Sequence, residues 1–463
     1  MGYHIGFIST RFSGADGVTL EAGKWSEALE KSGNTCFWFA GEVDKSEERS
    51  YLVPEAHFKD EHNQWVNDQI LGQTRRSPAV TERIHASRSF LKARLHAFID
   101  KFNIDILVAE NVLTIPMQIP LGLALSEAIA ETGLPTIAHH HDFFWERSRY
   151  TVNAVGDYLQ TAFPPQLPHL HHVVINSEAQ KQLALRTGIA ATVIPNVLDF
   201  AHPPELNPAG GKVFRQALGL SSEDKIILQP TRVIQRKGIE HAIELVRALA
   251  DPCFKLVITH EAGDEGYAYA EWLESHARDN GVDLRLVPIA LEDPWADAGS
   301  DPAAARNGYT LWDIYDQADL VTYPSLYEGF GNAFLEAVYL RKPILINRYE
   351  TFIRDIEPLG FKLATMDGFL AKSTVQHIKT ILASPELCAD MTTHNYKVAA
   401  DNFSYRVLEE RLGFIMRNAT GDAAFGKPGP EPHRHNIVYL DRDAGFQTHP
   451  YDGRRHRRSL STI

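Results

Sequence analysis

Twice along this chain a short run of β-branched and aromatic residues gives way to a longer helical stretch and then to another short run. This alternation limits the fold more than any single motif. In the first half the order is "YHIGFIST", "VTLEAGKWSEALEKSG" and "NTCFWFAG", then later "IDILVAE", "TIAHHHDFF" and "HHVVINS". A strand feeding a helix and then a second strand of the same sheet makes a crossover, so the sheet is parallel and covered by helices. Between 191 and 212, "ATVIPNVLDFAHPPELNPAGGK" shifts to Pro, Gly and Asn, which interrupt both element types and mark a linker. The pattern then restarts with "KIILQP", "IEHAIELVRALA", "FKLVITH", "YAYAEWLESHARDNG" and "VDLRLVPIA", and continues through "LWDIYDQA", "DLVTYP", "NAFLEAVYLR" and "KPILIN". The expectation is an α/β protein with two doubly wound, Rossmann-like parallel-sheet domains, residues 1–200 and 201–403. An amphipathic helix at 404–421 and a loosely ordered tail at 422–463 follow, while 42–78 reads as an insertion or loop-helix excursion. A length of 463 residues suits two cores of this size.

Charge and cysteine content exclude several classes. Lys and Arg number 46 against 59 Asp and Glu, a net charge of -13, which argues against a nucleic-acid binder or an anionic-membrane protein. The one basic cluster, "GRRHRRS" at 453–459, reads as a solvated tail. Cys36, Cys253 and Cys388 lack paired-ligand spacing, which fits a reducing, cytoplasmic setting rather than a disulfide framework or zinc site. No uninterrupted apolar window of about 18 residues exists, and the N-terminus lacks a signal or myristoylation pattern, so a soluble protein is expected.

Ligands of open parallel sheets bind beyond the carboxyl ends of the strands. After "KIILQP" comes "TRVIQRKGIE", which sets Arg232 and Lys237 before Gly238 and a helix start. Guanidinium, ammonium and helix N-terminus all favour an anion such as a diphosphate, although a solvated cationic loop fits the residues equally well. After "DLVTYP" comes "SLYEGFGN", with Glu328 in a turn whose Gly329 and Gly331 let backbone N–H groups approach a ligand; Glu336 lies a turn into the next helix. Carboxylates repel phosphate and accept hydrogen bonds from hydroxyls, so two carboxylates flanking a diphosphate site describe a nucleotide sugar. The plainer alternative leaves Glu336 facing solvent or paired with Arg341.

Together "RVIQRKG", "PSLYEGFGNAFLEA" and "VIPNVLD" resemble the signature of retaining GT-B glycosyltransferases, specifically glycosyltransferase family 4, with its E-x7-E pattern at Glu328 and Glu336. The likeness runs over residues 3–420, and its implications are specific. Arg232 and Lys237 hold the donor diphosphate, Glu328 and the turn Gly329, Phe330, Gly331 and Asn332 contact the donor sugar, and Glu336 binds ribose hydroxyls. The family's cleft histidine maps best onto His141 in "AHHHDFFWERSRY", with His139 or His140 open as alternatives. Gly17 matches a glycine beside the donor phosphates, but only one of the family's two adjacent glycines is present. The resemblance also implies same-face attack with retention, the leaving phosphate oxygen taking the acceptor proton. No metal or cofactor is then needed beyond the nucleotide sugar as co-substrate.

UDP-glucose and GDP-mannose both stay open as donors, the base being read near "RLVPIA" and the sugar by the 329–332 turn. Without a basic amphipathic surface helix, a small soluble acceptor is favoured over a lipid. Arg11, Asp142 and Arg147 are candidate acceptor contacts, the arginines suiting an anion. Three adjacent histidines on a strand point to opposite faces and do not converge easily, so no metal site is expected. The "DRD" at 441–443 reads as a charged loop. A GT-B sugar-nucleotide epimerase and a non-catalytic GT-B binding subunit are the alternatives; oligomeric state is not readable.

Overall fold

The computed structural model describes residues 2–14, 16–260, 267–287 and 308–421, and the backbone of 438–441 and 445–448. The end of "RLVPIA", Arg442 and Asp443 of "DRD" and the basic run 453–459 lie outside the described residues.

The first sheet holds β1 (His4–Ile8), β2 (Thr35–Ala40), β3 (Ser50–Leu52), β4 (Ile106–Glu110), β5 (Thr136–His140), β6 (Leu170–Val174) and β7 (Ala191–Val193). The second holds β8 (Lys225–Gln229), β9 (Phe254–Ile258), β10 (Leu284–Leu286), β11 (Leu320–Tyr323), β12 (Ile344–Asn347) and β13 (Ala364–Met366). Their orders are β3-β2-β1-β4-β5-β6-β7 and β10-β9-β8-β11-β12-β13. Every described pairing within them is parallel. Both sheets therefore reverse strand order once, between β1 and β4 and between β8 and β11, which is where doubly wound sheets open a crevice.

The strands read as unbroken apolar runs because helices cover both faces. Period-two alternation divides the first core: Ile5, Phe7, Ile106 and Val108 face Trp25 and Trp38 on one side, while Ile8, Leu107 and Ala109 face Phe39 and Phe98 on the other. The second sheet divides likewise, with Ile226, Leu228, Val321 and Tyr323 on one side and Ile227, Leu256 and Leu320 on the other.

Two edge strands depart from the sequence reading. Within the charged excursion 42–78, β3 pairs with β2, and the helix Glu61–Ile70 follows. Within the stretch read as linker, β7 pairs with β6 before the chain leaves the first sheet. At the crossing, Leu198 N–H donates to the Phe403 carbonyl (2.9 Å), so the outgoing and returning segments lie side by side. The returning chain forms the helix Tyr405–Thr420, whose Leu408, Leu412, Ile415 and Met416 enter the first sheet's core. Of the tail, β14 (Val438–Asp441) and β15 (Gly445–Thr448) pair antiparallel. Among the described residues no helix is long and apolar enough to cross a membrane.

Candidate active site

Both crevices open toward one another, and the residues that line them arrive from loops and helix starts of both sheets. On the first sheet's side, Asp16 caps the helix Gly17–Lys31, its carboxylate accepting from the N–H groups of Val18 and Thr19. That cap fixes Gly17 at the helix start, where a Cβ would come within 3.9 Å of the Asn332 side chain. Arg11 is tied to the same cap, Nη2 donating to Asp16 (2.9 Å).

The three histidines separate by face. His140 points away and shares a hydrogen bond with His172 (2.9 Å), fully buried. His139 stacks on Trp25, centroids 4.1 Å apart, with Nδ1 against the Glu110 carboxylate (3.0 Å). His141, just past β5, keeps 12% of its side chain open and places Nε2 3.4 Å from the same Glu110 oxygen. The expectation that adjacent histidines diverge holds for His140 only. His139 and His141 are two apart, share a face, and meet Glu110 from neighbouring β4, with ligand-type atoms all within 4.8 Å. Asp142 accepts from Asn111 Nδ2 (2.9 Å) and Arg147 Nε (2.6 Å), so two of the predicted acceptor contacts are paired with each other.

The second sheet's side is built on the two loops named from sequence. Gly238 adopts φ +60°, and a Cβ there would fall 2.4 Å from the Pro324 carbonyl oxygen. This close approach locks the Lys237 loop against the Glu328 loop. Lys237 Nζ and Arg236 Nη1 (3.0 Å) both bind the Glu328 carboxylate, which is almost fully buried. Burial alone would raise the Glu328 pKa, but the charges of Lys237 and Arg236 hold it below the usual carboxylate range. Burial pushes Lys237 down, against the attraction of Glu328. Arg232 is exposed and makes no side-chain hydrogen bond or ion pair among the described residues. His260, past β9, faces these cations; burial, then Lys237 and Arg232, push its pKa down to about 4, so it is neutral.

Gly331 adopts φ +120°, and the turn is pinned by Tyr349 Oη donating to the Phe330 carbonyl (2.9 Å) and Thr351 Oγ1 to that of Glu328 (3.0 Å). The Phe330 ring is buried against Phe403, so this residue faces the core and can meet a ligand through its backbone alone. Glu336 does not pair with Arg341, which sits over the Tyr396 ring (3.9 Å). It accepts instead from Tyr315 Oη (2.8 Å). Burial raises its pKa, opposed by that hydrogen bond and by Lys24, which lines the same small pocket with Leu20, Val197 and Asn332.

The two sides touch. Asn176 Nδ2 donates to the Gly329 carbonyl (2.5 Å), Asn196 Nδ2 to Asn332 Oδ1 (2.7 Å), and the Ser177 N–H to Asp355 (2.7 Å). Gly17, His141, Lys237, Glu328 and Glu336 thus border one cleft between two sheets. Arg236, Lys24 and His260 belong to the same lining, Glu110 lies buried beneath it, and all four were missed from sequence. Arg236 alone carried a signal, as the neighbour of Lys237 in a loop already marked cationic.

Two facing Rossmann-like sheets with their crevices opposed are the GT-B architecture of nucleotide-sugar-dependent glycosyltransferases. A solved glycosyltransferase structure from Rickettsia africae ESF-5 superimposes with a TM-score of 0.63, covering 91% of this chain and 100% of its own, at 14% identity. Sequence profiles described as "Glycosyltransferase Family 4" and "Glycosyl transferases group 1" match residues 16–202 and 306–398. Mannosylglucosylglycerate synthase of Thermotoga maritima is 30% identical over 88% of this chain and 98% of its own length. The enzyme of the same name from Petrotoga mobilis is 30% identical over 78% and 86%. The chain belongs to the family 4 glycosyltransferases, and it is a nucleotide-sugar-dependent hexosyltransferase.

Proposed function

We propose that this chain transfers mannose from GDP-mannose to a hydroxyl of glucosylglycerate, with retention at the anomeric carbon and without a divalent cation. The observation that carries the transfer chemistry is the convergence on one cleft of Gly17 and His141 from the first sheet with Lys237 and the turn 328–332 from the second. The identity of sugar and acceptor rests on the two mannosylglucosylglycerate synthases, which match this chain across both halves.

The sugar–phosphate bond breaks with positive charge growing on the anomeric carbon and negative charge on the leaving diphosphate. Among the described residues Arg232 spends none of its guanidinium donors, which suits it to that charge, and Lys237 sits at a buried site where an ammonium acts strongly. The acceptor hydroxyl attacks from the face the diphosphate leaves, and its proton passes to the departing phosphate oxygen, so no side-chain base is consumed. Glu336, held by Tyr315 and lining the pocket with Lys24, accepts hydrogen bonds from the ribose. Arg11 and Arg147 remain partly exposed, and each uses one carboxylate partner out of a five-donor fork, which suits the carboxylate of a glycerate.

Incubation with GDP-mannose and UDP-glucose, each with glucosylglycerate, glycerate or 3-phosphoglycerate, tests the assignment. The expected result is GDP release only with glucosylglycerate, an α-linked product from the α-configured donor, and no effect of EDTA. Turnover confined to another donor or acceptor overturns the specificity, an inverted product the stereochemistry, and chelator-sensitive activity the metal-free mechanism.

A further inference from the structure

We propose that Glu110 is a positioning residue for the transfer, holding His141 cationic and turned to the donor from the floor of the cleft, with His139 as the neutral strut that fixes the carboxylate. The proposal deepens the reading above and rests on it, since it takes His141 to face the donor.

Three observations converge on Glu110. Its side chain is completely buried, and one oxygen, Oε2, faces both His139 Nδ1 (3.0 Å) and His141 Nε2 (3.4 Å). A buried carboxylate is tolerated when charge and hydrogen bonds compensate it, and a single cationic imidazole makes the cluster neutral. His139 is the poorer carrier of that charge, being fully enclosed under Trp25, whereas His141 reaches the cleft. The titratable groups around His141 are Glu110, His139, His140, Glu21 of the helix Gly17–Lys31 and the adjacent Asp142. Three are acidic; Glu21 is paired to Lys24 and Asp142 to Arg147, which leaves Glu110 as the uncommitted charge.

The titration tendencies agree. Burial depresses His141, but the hydrogen bond and charge of Glu110, followed by the charges of Glu21 and Asp142, leave its pKa raised. His139 ends lowered, burial being the largest cause. Among the described residues Nδ1 of His141 has no hydrogen-bond partner, so its N–H is the donor left for a ligand. Its backbone adds to the placement: a Cβ on Gly329 of the donor turn would lie 3.5 Å from the His141 carbonyl oxygen.

NMR titration of the His141 ring, assigned by comparison with His141→Gln, together with kcat against pH, tests this in wild type and in Glu110→Gln. In wild type the ring stays protonated above free histidine's ordinary range. In Glu110→Gln its titration and the alkaline limb of kcat move together to lower pH, and kcat at neutral pH falls about tenfold or more, with Glu110→Asp recovering part of both. If Glu110→Gln does not fold, the wild-type titration and Glu110→Asp decide, and a wild-type ring titrating below the ordinary range overturns the proposal. A crippled His141→Gln beside an unaltered Glu110→Gln profile overturns it while sparing the donor-facing reading of His141; a fully active His141→Gln overturns both. Recovery of chelator-abolished turnover by Mn2+ or Zn2+ also overturns it, because the cluster would then be a ligand set.

Discussion

Lys237, Arg236 and Glu328 show how a residue's role at the site is tied to its role in the fold. Sequence reasoning placed Lys237 and Glu328 as separate ligand contacts; the structure pairs them in near-complete burial. Lys237→Ala should therefore cost both activity and stability: about a hundredfold in kcat, and about 1–3 kcal/mol of folding free energy, less than the 3–5 of a fully orphaned buried charge because Arg236 remains. Enzyme assays and urea denaturation check the two together, and an unchanged midpoint would show that the pair contributes nothing net. The depressed Glu328 carboxyl adds a pH signature. Its contribution is fully present above the unfolded value of about 4.3 and is lost as pH falls through the lower folded value. Thermal stability between pH 6 and pH 3 should thus drop more steeply in wild type than in Glu328→Gln. The residues that escaped the sequence reading share a physical reason. Lys24 and Glu21 read as an ordinary surface pair three apart, and their burial comes from residues far along the chain, such as the Val197 carbonyl, 173 positions away and accepting from Lys24 (2.8 Å). Glu110 reads as the polar end of a strand until His139 and His141 arrive from the next one.

At the level of elements, the alternation of apolar runs and amphipathic stretches was legible because both sheets are covered on two faces, leaving little polar interruption inside a strand. What escaped was short and at the margin: β3 and β7 are three residues each, too brief for periodicity, and lie in segments whose charge or proline content masks them. The E-x7-E helix was legible for the opposite reason, since Gly329 and Gly331 mark the turn and the apolar face of "NAFLEAVY" marks the helix. The loop before the helix Ile239–Leu249 gives the sharpest test at this scale. Gly238 combines a left-handed φ of +60° with a backbone oxygen 2.4 Å from where Cβ would stand. Unlike a flexible side chain, the Pro324 carbonyl cannot swing aside without moving the Glu328 turn. Gly238→Ala should destabilise by more than about 1 kcal/mol and weaken donor binding, read by denaturation and by the thermal shift with GDP-mannose. Full retention of both would mean that the two loops move independently.

Across the whole molecule, the two sheets are joined by paired crossing segments, Leu198 against Phe403, and by a thin set of contacts across the cleft. A link of this kind is compatible with hinge closure, and the prediction is that the cross-cleft hydrogen bonds set the balance between open and closed forms. Asn176 to Gly329 and Ser177 to Asp355 lie on the side of the cleft where the turn 328–332 meets the first sheet. Each net hydrogen bond contributes about 0.5–1.5 kcal/mol, so removing both in an Asn176→Ala, Asp355→Ala variant should shift the closed-to-open ratio by about fivefold to a hundredfold. Neither substitution alters the cations at Arg232 and Lys237, so the chemistry of the closed complex is preserved while its population falls. The expected signature is a larger radius of gyration by X-ray scattering without ligand, partly restored by donor. A raised donor KM and a larger share of sugar lost to water should accompany it, because an incompletely closed cleft admits solvent. If the radius and the hydrolysis share match wild type while kcat alone falls, these two bonds act on the chemical step and closure is governed elsewhere.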